Sequence, residues 1–549
     1  MNTSISKDQP VAYLCAEFGL QASLPIYAGG LGVLAGDTIK AAADVAYPFV
    51  GIGLLYRGYG VVQELSAEGL QTETNYLFDP LSNGLEHVYL DDEPLFVKVH
   101  LTELEVWLRV WKKHIGNGVY LYLLDTETDQ NNINERDITQ VLYSGTHENL
   151  LKQQLILGIG GVKLLAKLGI SPSVYHINEG RPAFAHWQLI RMLMDDHGMS
   201  YEKAKHAAIA KVVYTNHTLV AAGNQQYSPD LIKVYSAYYA QKMGISNDHL
   251  IQDGIEESTG QFSVSSFALN TSRKANGVSS LHTELSKEVW PSYTWVSITN
   301  GVHLPTWRAP ELDDAQSLSD KSLWDTHKHL KTKTREFVHG LTGYTYDENQ
   351  LIVGWARRLA GYKQLDKLFT DLQRLETILK NQDRPVYLLI AGKAHSGDTA
   401  GKQMLQTILK YFGEQLSGSA LFVPNYNIDI AQQLTRGVDV WLNTPVYGEE
   451  ACGTSGMKAT ANGVLNCTVA DGWAAEVNWT NPGWAIDHTQ LSESVYTLLE
   501  QQIVPLYYER NQDNIPTAWL TKMRAALALQ PQYSAARMLE QYEELLYTE

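Results

Sequence analysis

The stretch Leu351-Ile-Val-Gly-Trp-Ala-Arg-Arg358 places an apolar run of strand length directly before two arginines. A short and nearly continuous apolar run is typical of a strand that is buried on both faces of a parallel sheet. Comparable runs follow at Val386–Ala391, Ala420–Val423 and Val438–Trp441. Longer stretches with helical periodicity separate these runs, and this alternation predicts parallel βαβ units in the second half of the chain.

The first half of the chain has the same organisation. Apolar runs predict strands at Val11–Cys15, Val174–Ile177 and Lys211–Tyr214. Helical patterns lie at Gly32–Ala43, Leu150–Leu168 and Arg181–Met194. We therefore expect an α/β protein with two Rossmann-like, doubly wound domains that face a central cleft. In such sheets the ligand crevice lies at the carboxyl ends of the strands.

The predicted boundary lies in the charged, turn-rich stretch between the two halves. Residues 1–310 form the expected N-terminal domain, and residues 349–549 form the expected C-terminal domain. Residues 311–348 are expected to form a helical linker, with helical pieces near Lys321–Leu341. A terminal helical pattern, Thr517–Tyr547, is able to pack on either domain.

Composition narrows the class of protein and of partner. The 549 residues are 44% hydrophobic and 19% charged, as in soluble globular proteins. The formal net charge of −17 argues against nucleic acid or an anionic membrane as a partner. The N-terminus has no signal-peptide pattern, and the three cysteines do not form a disulfide framework. These features predict a cytoplasmic protein.

A basic cluster, Arg357-Arg-Leu-Ala-Gly-Tyr-Lys363, follows the first strand of the second half. The Arg358 guanidinium can grip a phosphate through two parallel hydrogen bonds, while Lys363 acts as a mobile point charge. An exposed basic helical turn is the simpler interpretation. Basic groups in a first helical turn oppose the helix dipole, however, unless an anion binds there.

The stretch Glu450-Ala-Cys-Gly-Thr-Ser-Gly-Met-Lys458 joins three chemical groups. The turn over residues 453–456 can direct backbone N–H groups at an anion, most favourably where a helix begins. Glu450 is an acceptor for sugar hydroxyls, and Lys458 is an amine able to form a Schiff base with an aldehyde cofactor. In isolation the stretch would be interpreted as a helix-opening turn with an exposed lysine.

A further glycine turn, Gly29-Gly-Leu-Gly32, is a weak phosphate signal, since tight turns need glycine in any case.

Together these segments closely resemble the α-glucan (glycogen/maltodextrin) phosphorylases, in the compact form without a long N-terminal regulatory extension. The similarity runs through nearly the whole chain in the same order. It is carried by Glu17-Phe18, Gly29–Gly32, Tyr214–Thr218, Thr299–Gly301 with Trp307, Arg357-Arg358 with Tyr362-Lys363, Asn425-Tyr426 and Glu450–Lys458.

The resemblance implies a GT-B fold and reversible phosphorolysis of α-1,4-glucans to α-glucose 1-phosphate. It implies pyridoxal 5′-phosphate as the cofactor, used through its phosphate group as a proton relay, without metal or paired catalytic carboxylates. It also implies little allosteric control and favours a homodimer, an inference that the shortened chain weakens.

The resemblance assigns roles residue by residue. The groups implied in the chemical step are Lys458, Arg358, Lys363 and His217. The groups implied at the cofactor are Lys458, Arg357, Tyr426, Trp307, Gly453, Thr454, Ser455 and Gly30. The groups implied at the sugar are Glu450, Cys452, Gly453, Asn300, Tyr362, His217, Glu179 and Arg181.

Some positions depart from the family pattern. Arg181 stands where histidine is usual, toward the acceptor side, so this departure bears on glucan preference. Cys452 commonly has serine as its counterpart, and the stretch Leu150–Gln154 lacks a usual arginine and a usual glutamate. Asn270 stands where arginine is common. These departures keep open a catalytically silent glucan-binding relative.

Two enzyme alternatives also stay open. One is a nucleotide-sugar glucosyltransferase of the GT-B fold. Such enzymes often carry a second glutamate eight positions after the first, where this chain has Lys458 after Glu450. The other is a pyridoxal enzyme acting on amino acids, for which no substrate-carboxylate motif stands out.

Overall fold

The computed structural model describes residues 5–58, 60–143, 145–219 and 224–548. The chain folds as two compact units. Unit 1 comprises Met1–Gly60, Tyr76–Thr299 and Met538–Glu549, and unit 2 comprises Val61–Asn75 and Asn300–Arg537. The division at residues 310 and 348 and the helical linker remain predictions.

The strands are short and mostly apolar, and in chain order they are β1 (Val11–Leu14), β2 (Phe49–Leu54), β3 (Gly60–Leu65), β4 (Gln71–Tyr76), β5 (Glu86–His87), β6 (Tyr89–Leu90), β7 (Glu93–Pro94), β8 (Phe96–Leu101), β9 (Leu104–Gly116), β10 (Val119–Asp125), β11 (Val174–Asn178), β12 (Val212–Thr215), β13 (Gln226–Tyr227), β14 (Phe262–Ser263), β15 (Lys274–Gly277), β16 (Trp295–Ser297), β17 (Leu351–Ala356), β18 (Val386–Ala391), β19 (Ala420–Val423), β20 (Val440–Asn443), β21 (Leu465–Val469) and β22 (Gly483–Ile486).

The α-helices are α1 (Gly30–Asp44), α2 (Ile133–Arg136), α3 (His147–Leu155), α4 (Gly161–Lys167), α5 (Ala185–His197), α6 (Tyr201–Ile209), α7 (Pro229–Met243), α8 (Asn247–Ile251), α9 (Val264–Asn270), α10 (Ser280–Val289), α11 (Leu304–Trp307), α12 (Asp320–Thr342), α13 (Leu372–Leu379), α14 (Thr399–Gly413), α15 (Ile428–Gly437), α16 (Ser455–Thr460), α17 (Leu491–Leu498), α18 (Val504–Tyr508), α19 (Thr517–Leu527) and α20 (Ala535–Gln541). Within the described ranges, no helix is long and apolar enough to cross a membrane.

Unit 1 is built on a mixed sheet. Seven strands lie parallel in the order β16-β15-β12-β11-β1-β2-β10. The sheet then continues through β9 to β5, with β8 also paired to β9, and these pairings are antiparallel. The parallel strands confirm the predicted βαβ pattern, whereas the antiparallel extension was not predicted.

Unit 2 has a parallel six-stranded sheet in the order β19-β18-β17-β20-β21-β22. Both faces are covered. On β17, Leu351, Val353 and Trp355 pack into one hydrophobic cluster, while Ile352 and Ala356 pack into another. Burial on both faces explains why this strand is a nearly continuous apolar run instead of an alternating one.

Two helix predictions needed correction. The helical pattern Leu150–Leu168 is divided into α3 and α4 by a π-helical turn over Ile156–Gly160. Here a Cβ on Gly158 would lie 2.4 Å from the Ala185 backbone nitrogen, so the turn accommodates a close approach to α5. The pattern Arg181–Met194 becomes α5 (Ala185–His197), and Arg181 therefore lies in the turn before the helix.

Two segments belong to a unit whose other residues lie far from them in the sequence: residues 61–75 belong to unit 2, and residues 538–549 belong to unit 1. Gln63 on β3 donates from its side chain to Gly392 O (3.0 Å), and Gln71 on β4 donates to Ala394 O (3.0 Å), which fixes the β3–β4 hairpin to unit 2. The terminal helical pattern divides between the units. α19 packs in unit 2, whereas Tyr547 in unit 1 accepts from Arg273 through its carbonyl.

Candidate active site

The predicted site residues of unit 2 follow the carboxyl ends of its parallel strands. Arg357 comes directly after β17, Tyr426 after β19, and the Glu450–Lys458 stretch after β20. Parallel strands bring these ends to one edge of the sheet. The structure thus brings together segments that lie up to about a hundred residues apart in the sequence.

Arg357 is a buried cation with an incomplete set of partners. Its guanidinium donates to Asn443 Oδ1 and to Ser455 Oγ (3.3 Å), and it lies 3.7 Å from Glu450 Oε2. Its Nε, also buried, has no hydrogen-bond acceptor among the described residues. A buried donor without a partner is costly, so this geometry is completed most simply by a bound anion.

Lys363 and Glu450 form a buried ion pair, with side chains 8% and 11% exposed. Burial by itself would raise the pKa of the Glu450 carboxyl, but the charges of Lys363 and Arg357 hold it below its usual value. Glu450 is therefore an anion in the folded protein. Asp471 fixes its backbone by accepting from Gly448 N (2.9 Å) and Glu450 N (3.1 Å).

Arg358 differs from its neighbour because its side chain is exposed. It makes no hydrogen bond or ion pair with any residue of the described ranges. The next predicted residue, Tyr362, is half-buried, and its ring centroid lies 4.3 Å from the Lys363 amine. The loop after β17 thus presents two buried cations, Arg357 and Lys363, and one solvated cation, Arg358.

Lys458 lies in the short helix α16, with 7% of its surface exposed. Its amine stands 3.8 Å from the centroid of the Trp307 indole ring. Asn462 ties the two segments together by donating to Trp307 O (3.1 Å) and Lys458 O (2.9 Å). Asn462 thus joins α16 to the segment that carries Trp307, beside whose ring the amine lies.

A turn at Gly453 and Thr454 precedes α16, and the last two residues of the predicted turn, Ser455 and Gly456, belong to the helix. Gly453 has a φ of +78°, and the helix begins at Ser455 after Thr454. The Ser455 hydroxyl also accepts from Trp441 Nε1 (3.1 Å), which anchors the turn to β20. Backbone N–H groups at the start of a helix lack intrahelical partners and can bind an anion.

Three further predicted site residues, Asn300, Cys452 and Tyr426, lie in unit 2. Asn300 is 3% exposed, and its side-chain Oδ1 has no donor among the described residues. Cys452 is buried, and burial raises the pKa of its thiol well above the usual range, so the thiol stays protonated. Burial also raises the pKa of the Tyr426 hydroxyl to about 12, an effect that the charge of Arg357 opposes.

In unit 1 the predicted residues follow β11 and β12. His217 Nε2 lies 2.6 Å from Asn178 Oδ1, and burial lowers the pKa of the imidazole to about 3. The ring is therefore neutral. Because Asn178 Oδ1 can only accept, Nε2 carries the proton and Nδ1 is left as an acceptor.

Glu179 lies just after β11 in a left-handed conformation, with a φ of 65°. Its carboxylate accepts from His217 N (3.0 Å) and Gly180 N (3.1 Å). Such a backbone conformation is uncommon for glutamate and costs on the order of 1–3 kcal/mol. The contacts to two backbone N–H groups offset this strain and fix the position of the carboxylate.

Gly30 begins α1, preceded by Gly29 in extended backbone conformation. A Cβ added to either glycine would meet nothing within 4 Å. At Gly32, in contrast, it would lie 2.6 Å from Glu17 Oε2. The turn therefore has one open side and one side packed on a carboxylate.

The sequence analysis assigned no role to several residues that hold the predicted ones in place. Asn443, Asp471 and Asn462 in unit 2 and Glu17 and Asn178 in unit 1 all bond to predicted residues or their loops. Most of them stand at or just after the end of a strand, which is the signal that could have identified them.

Comparison with known proteins gives a consistent result. The model of the carbohydrate phosphorylase family matches residues 170–309 and 309–481. A maltodextrin phosphorylase of Thermococcus litoralis is 35% identical, over 98% of this chain and 71% of the relative. Glycogen phosphorylases of Aquifex aeolicus and Mycobacterium tuberculosis are each 33% identical over 98% of this chain, covering 86% and 70% of those proteins.

The two Rossmann-like α/β units agree with the GT-B fold expected from the sequence. The family match covers parts of both units, and the full-length relatives extend it to nearly the entire chain. The chain belongs to the carbohydrate phosphorylase family.

Proposed function

We propose that this protein is an α-1,4-glucan phosphorylase, a hexosyltransferase of glycogen or maltodextrin metabolism. It transfers a glucosyl residue reversibly from the non-reducing end of the glucan to inorganic phosphate, which gives α-glucose 1-phosphate. The observation that carries the proposal is the buried cluster of Arg357, Lys363 and Glu450 in unit 2, which Ser455 joins to α16, the helix that holds the buried amine of Lys458. It combines anion-binding cations, a sugar-binding carboxylate and a held primary amine.

Pyridoxal 5′-phosphate fits the donors present. Lys458 supplies the amine for its aldehyde, and Trp307 supplies an aromatic wall beside that amine. The phosphate of the cofactor can bind to the N–H groups of residues 453–455. It can also bind to Nε of Arg357, which has no acceptor among the described residues. When bound, the cofactor supplies a phosphate whose second pKa, about 6, suits it to proton exchange near neutral pH.

Arg358 and Lys363 are proposed to bind the substrate phosphate, assisted by the backbone of Gly30. Arg358 is solvated and so available to an incoming anion. Lys363 already holds Glu450, and it can keep this contact while it binds one phosphate oxygen, because an ammonium has three donors. The cations then orient the phosphate and offset its charge.

Sugar recognition is proposed to use side chains and backbone groups of the predicted residues. Glu450, with the backbone at Cys452 and Gly453, would take the 3- and 4-hydroxyls, and Tyr362 would lie near the 2-hydroxyl. Asn300 Oδ1 and His217 Nδ1 are acceptors suited to the 6-hydroxyl. The imidazole is neutral throughout the physiological pH range, so its Nδ1 can accept a hydrogen bond from the 6-hydroxyl. Glu179 and Arg181 are proposed toward the acceptor chain.

The proposal is tested by incubating purified protein, loaded with pyridoxal phosphate, with maltoheptaose and inorganic phosphate. We expect glucose 1-phosphate in proportion to the phosphate supplied, and chain extension in the reverse direction. Transfer from a nucleotide-glucose with none from glucose 1-phosphate would instead identify a nucleotide-sugar glucosyltransferase. Glucan binding without turnover would identify a silent relative.

A cytoplasmic location and a homodimer are proposed with the function.

A further inference from the structure

The glycine turn Ala28-Gly29-Gly30 in unit 1 rests on one buried carboxylate. Glu17 Oε2 accepts from Ala28 N (2.7 Å) and from Gly29 N (3.2 Å), and Glu17 is 3% exposed. Gly32 completes the packing, since any side chain there would collide with the same oxygen. The position of the turn is therefore set by the position of the Glu17 carboxylate.

The second oxygen of that carboxylate has its own partner. Glu17 Oε1 accepts from the hydroxyl of Tyr143, and the Arg181 guanidinium carbon lies 4.3 Å from the Tyr143 ring centroid. A guanidinium over a phenol ring makes a favourable cation–π contact. Arg181, Tyr143, Glu17 and the turn thus form one continuous chain of contacts within unit 1.

Tyr143 is held in an unfavourable backbone conformation, with a φ of 58°. A bulky residue in the left-handed region is strained and persists only where its surroundings fix it. The contacts of the ring with Arg181 and of the hydroxyl with Glu17 supply such surroundings. The strain is consistent with a role that depends on where this side chain is placed.

Charge explains why an arginine is useful here. Burial raises the pKa of the Glu17 carboxyl, while the Tyr143 hydroxyl, the two backbone N–H groups and the charge of Arg181 oppose that rise. The other titratable groups that face this region are Cys15, Glu179 and Tyr227, and Tyr27 packs against the turn at Gly32. None of these supplies a positive charge, so among the described residues Arg181 is the cation that favours the ionised form of Glu17.

We infer that Arg181 and Tyr143 are positioning residues, which act through Glu17 to hold the Gly29–Gly30 turn in the conformation that receives the substrate phosphate. This inference rests on the proposed function for the ligand of the turn, but the contacts themselves do not depend on it. It assigns to Arg181 a role in phosphate binding, in place of the acceptor-side role that the family resemblance implies and that the proposed function carries over. The two roles predict different kinetic effects.

The first test needs neither cofactor nor substrate. Hydrogen–deuterium exchange is followed by mass spectrometry in peptides that contain Ala28 and Gly29. Arg181→Met and Tyr143→Phe should each speed exchange of these amides about tenfold, because hydrogen bonds to a less stable carboxylate open more often. Arg181→Lys should recover only part of the protection, since it keeps the charge but not the planar guanidinium over the Tyr143 ring.

Arg191→Met is the matched control, because Arg191 pairs with Asp195 on the surface of α5 in the same unit. It should leave the turn unchanged. Unaltered exchange at Ala28 and Gly29 in Arg181→Met would overturn the inference. Equally faster exchange throughout unit 1 would also overturn it, because the role would then be a general structural one.

Steady-state kinetics give the second test. Arg181→Met should raise KM for phosphate about tenfold, with KM for maltoheptaose changed less than about twofold. The reverse pattern would contradict the inference and return Arg181 to acceptor binding. If the wild type makes no glucose 1-phosphate, the proposed function fails, while the exchange measurements still decide whether Arg181 holds the turn.

Discussion

In unit 2 the Lys363 ammonium pairs with the carboxylate of Glu450, 87 residues later in the chain, with both side chains about nine-tenths buried. Arg357 lies 3.7 Å from the same carboxylate oxygen. The proposed anion site therefore contains a carboxylate of its own. An incoming phosphate has to share Lys363 with Glu450, so the sugar-binding and phosphate-binding functions of this site are coupled.

This coupling predicts the behaviour of Glu450→Gln. The change removes the internal counter-charge of Lys363 and Arg357, which leaves buried positive charge uncompensated. We expect turnover to fall at least about a hundredfold, because sugar contacts are lost, while inorganic phosphate binds at least as tightly as in the wild type. Phosphate-dependent thermal stabilisation measures that binding. Loss of the stabilisation in the variant would contradict the coupling.

Arg358→Ala tests the solvated cation. We expect KM for phosphate to rise about tenfold to a hundredfold, with KM for maltodextrin nearly unchanged, and Arg358→Lys to recover part of the loss. Thermal stability should not change, since the side chain is exposed. Arg384→Ala is the matched control: Arg384 is also exposed but precedes β18, at the opposite end of the sheet. Equal effects of the two variants would count against the assignment.

Lys331→Met tests the buried charges that fix α12 to the core of unit 2. Lys331 Nζ donates to Asp439 Oδ2 (2.6 Å), Tyr507 OH (2.7 Å) and Gln350 O (2.9 Å), and Asp439 is fully buried. Removing the lysine leaves that carboxylate without its main counter-charge, which costs about 3–5 kcal/mol of stability. Lys333→Met, which breaks only an ion pair with Glu311 nearer the surface, should cost less than about 1 kcal/mol. Chemical denaturation measures both, and similar losses would show that burial of the pair does not matter.

His186→Leu tests acid sensitivity in unit 1. His186 is 2% exposed, and neither ring nitrogen has a hydrogen-bond partner among the described residues. Burial, with a contribution from Lys205, lowers the pKa of this imidazole to about 3 from an ordinary 6.5. Between these values the unfolded chain binds a proton that the folded chain does not, so lowering the pH favours unfolding.

The leucine variant lacks this proton uptake. Relative to the wild type, it should gain about 2 kcal/mol of stability between pH 7 and pH 5. Unfolding at the two pH values measures the difference. An identical pH dependence in both proteins would show that His186 is protonated in the folded state.

Much of the fold was predictable because parallel strands carry a strong signal. β18 and β19 were predicted to the residue, and β1, β11, β12, β17 and β20 to within two residues at either end. The parallel strands β2, β10, β15, β16, β21 and β22 were not predicted, and neither was the antiparallel part of unit 1. Its strands alternate between buried and half-buried or exposed residues, as β8 shows, and this pattern is weaker than a continuous apolar run.

For the site, motifs predicted which residues lie near the strand ends but not what holds them. The pairing of Lys363 with Glu450 and the stacking of Arg181 on Tyr143 depend on tertiary structure. No local pattern encodes such contacts, since their partners lie 87 and 38 residues apart in the chain. The exposure of Arg358 beside a buried Arg357 was unpredictable for the same reason.

The proposed function depends most on the Lys458 amine, which lies 3.8 Å from the Trp307 ring centroid. Protein loaded with pyridoxal phosphate can be reduced with borohydride and digested, and the peptides can then be mapped by mass. We predict one pyridoxyl adduct, on Lys458, which is absent from Lys458→Ala and retained in the surface control Lys321→Ala. Unmodified Lys458 in protein prepared with excess cofactor would contradict the account.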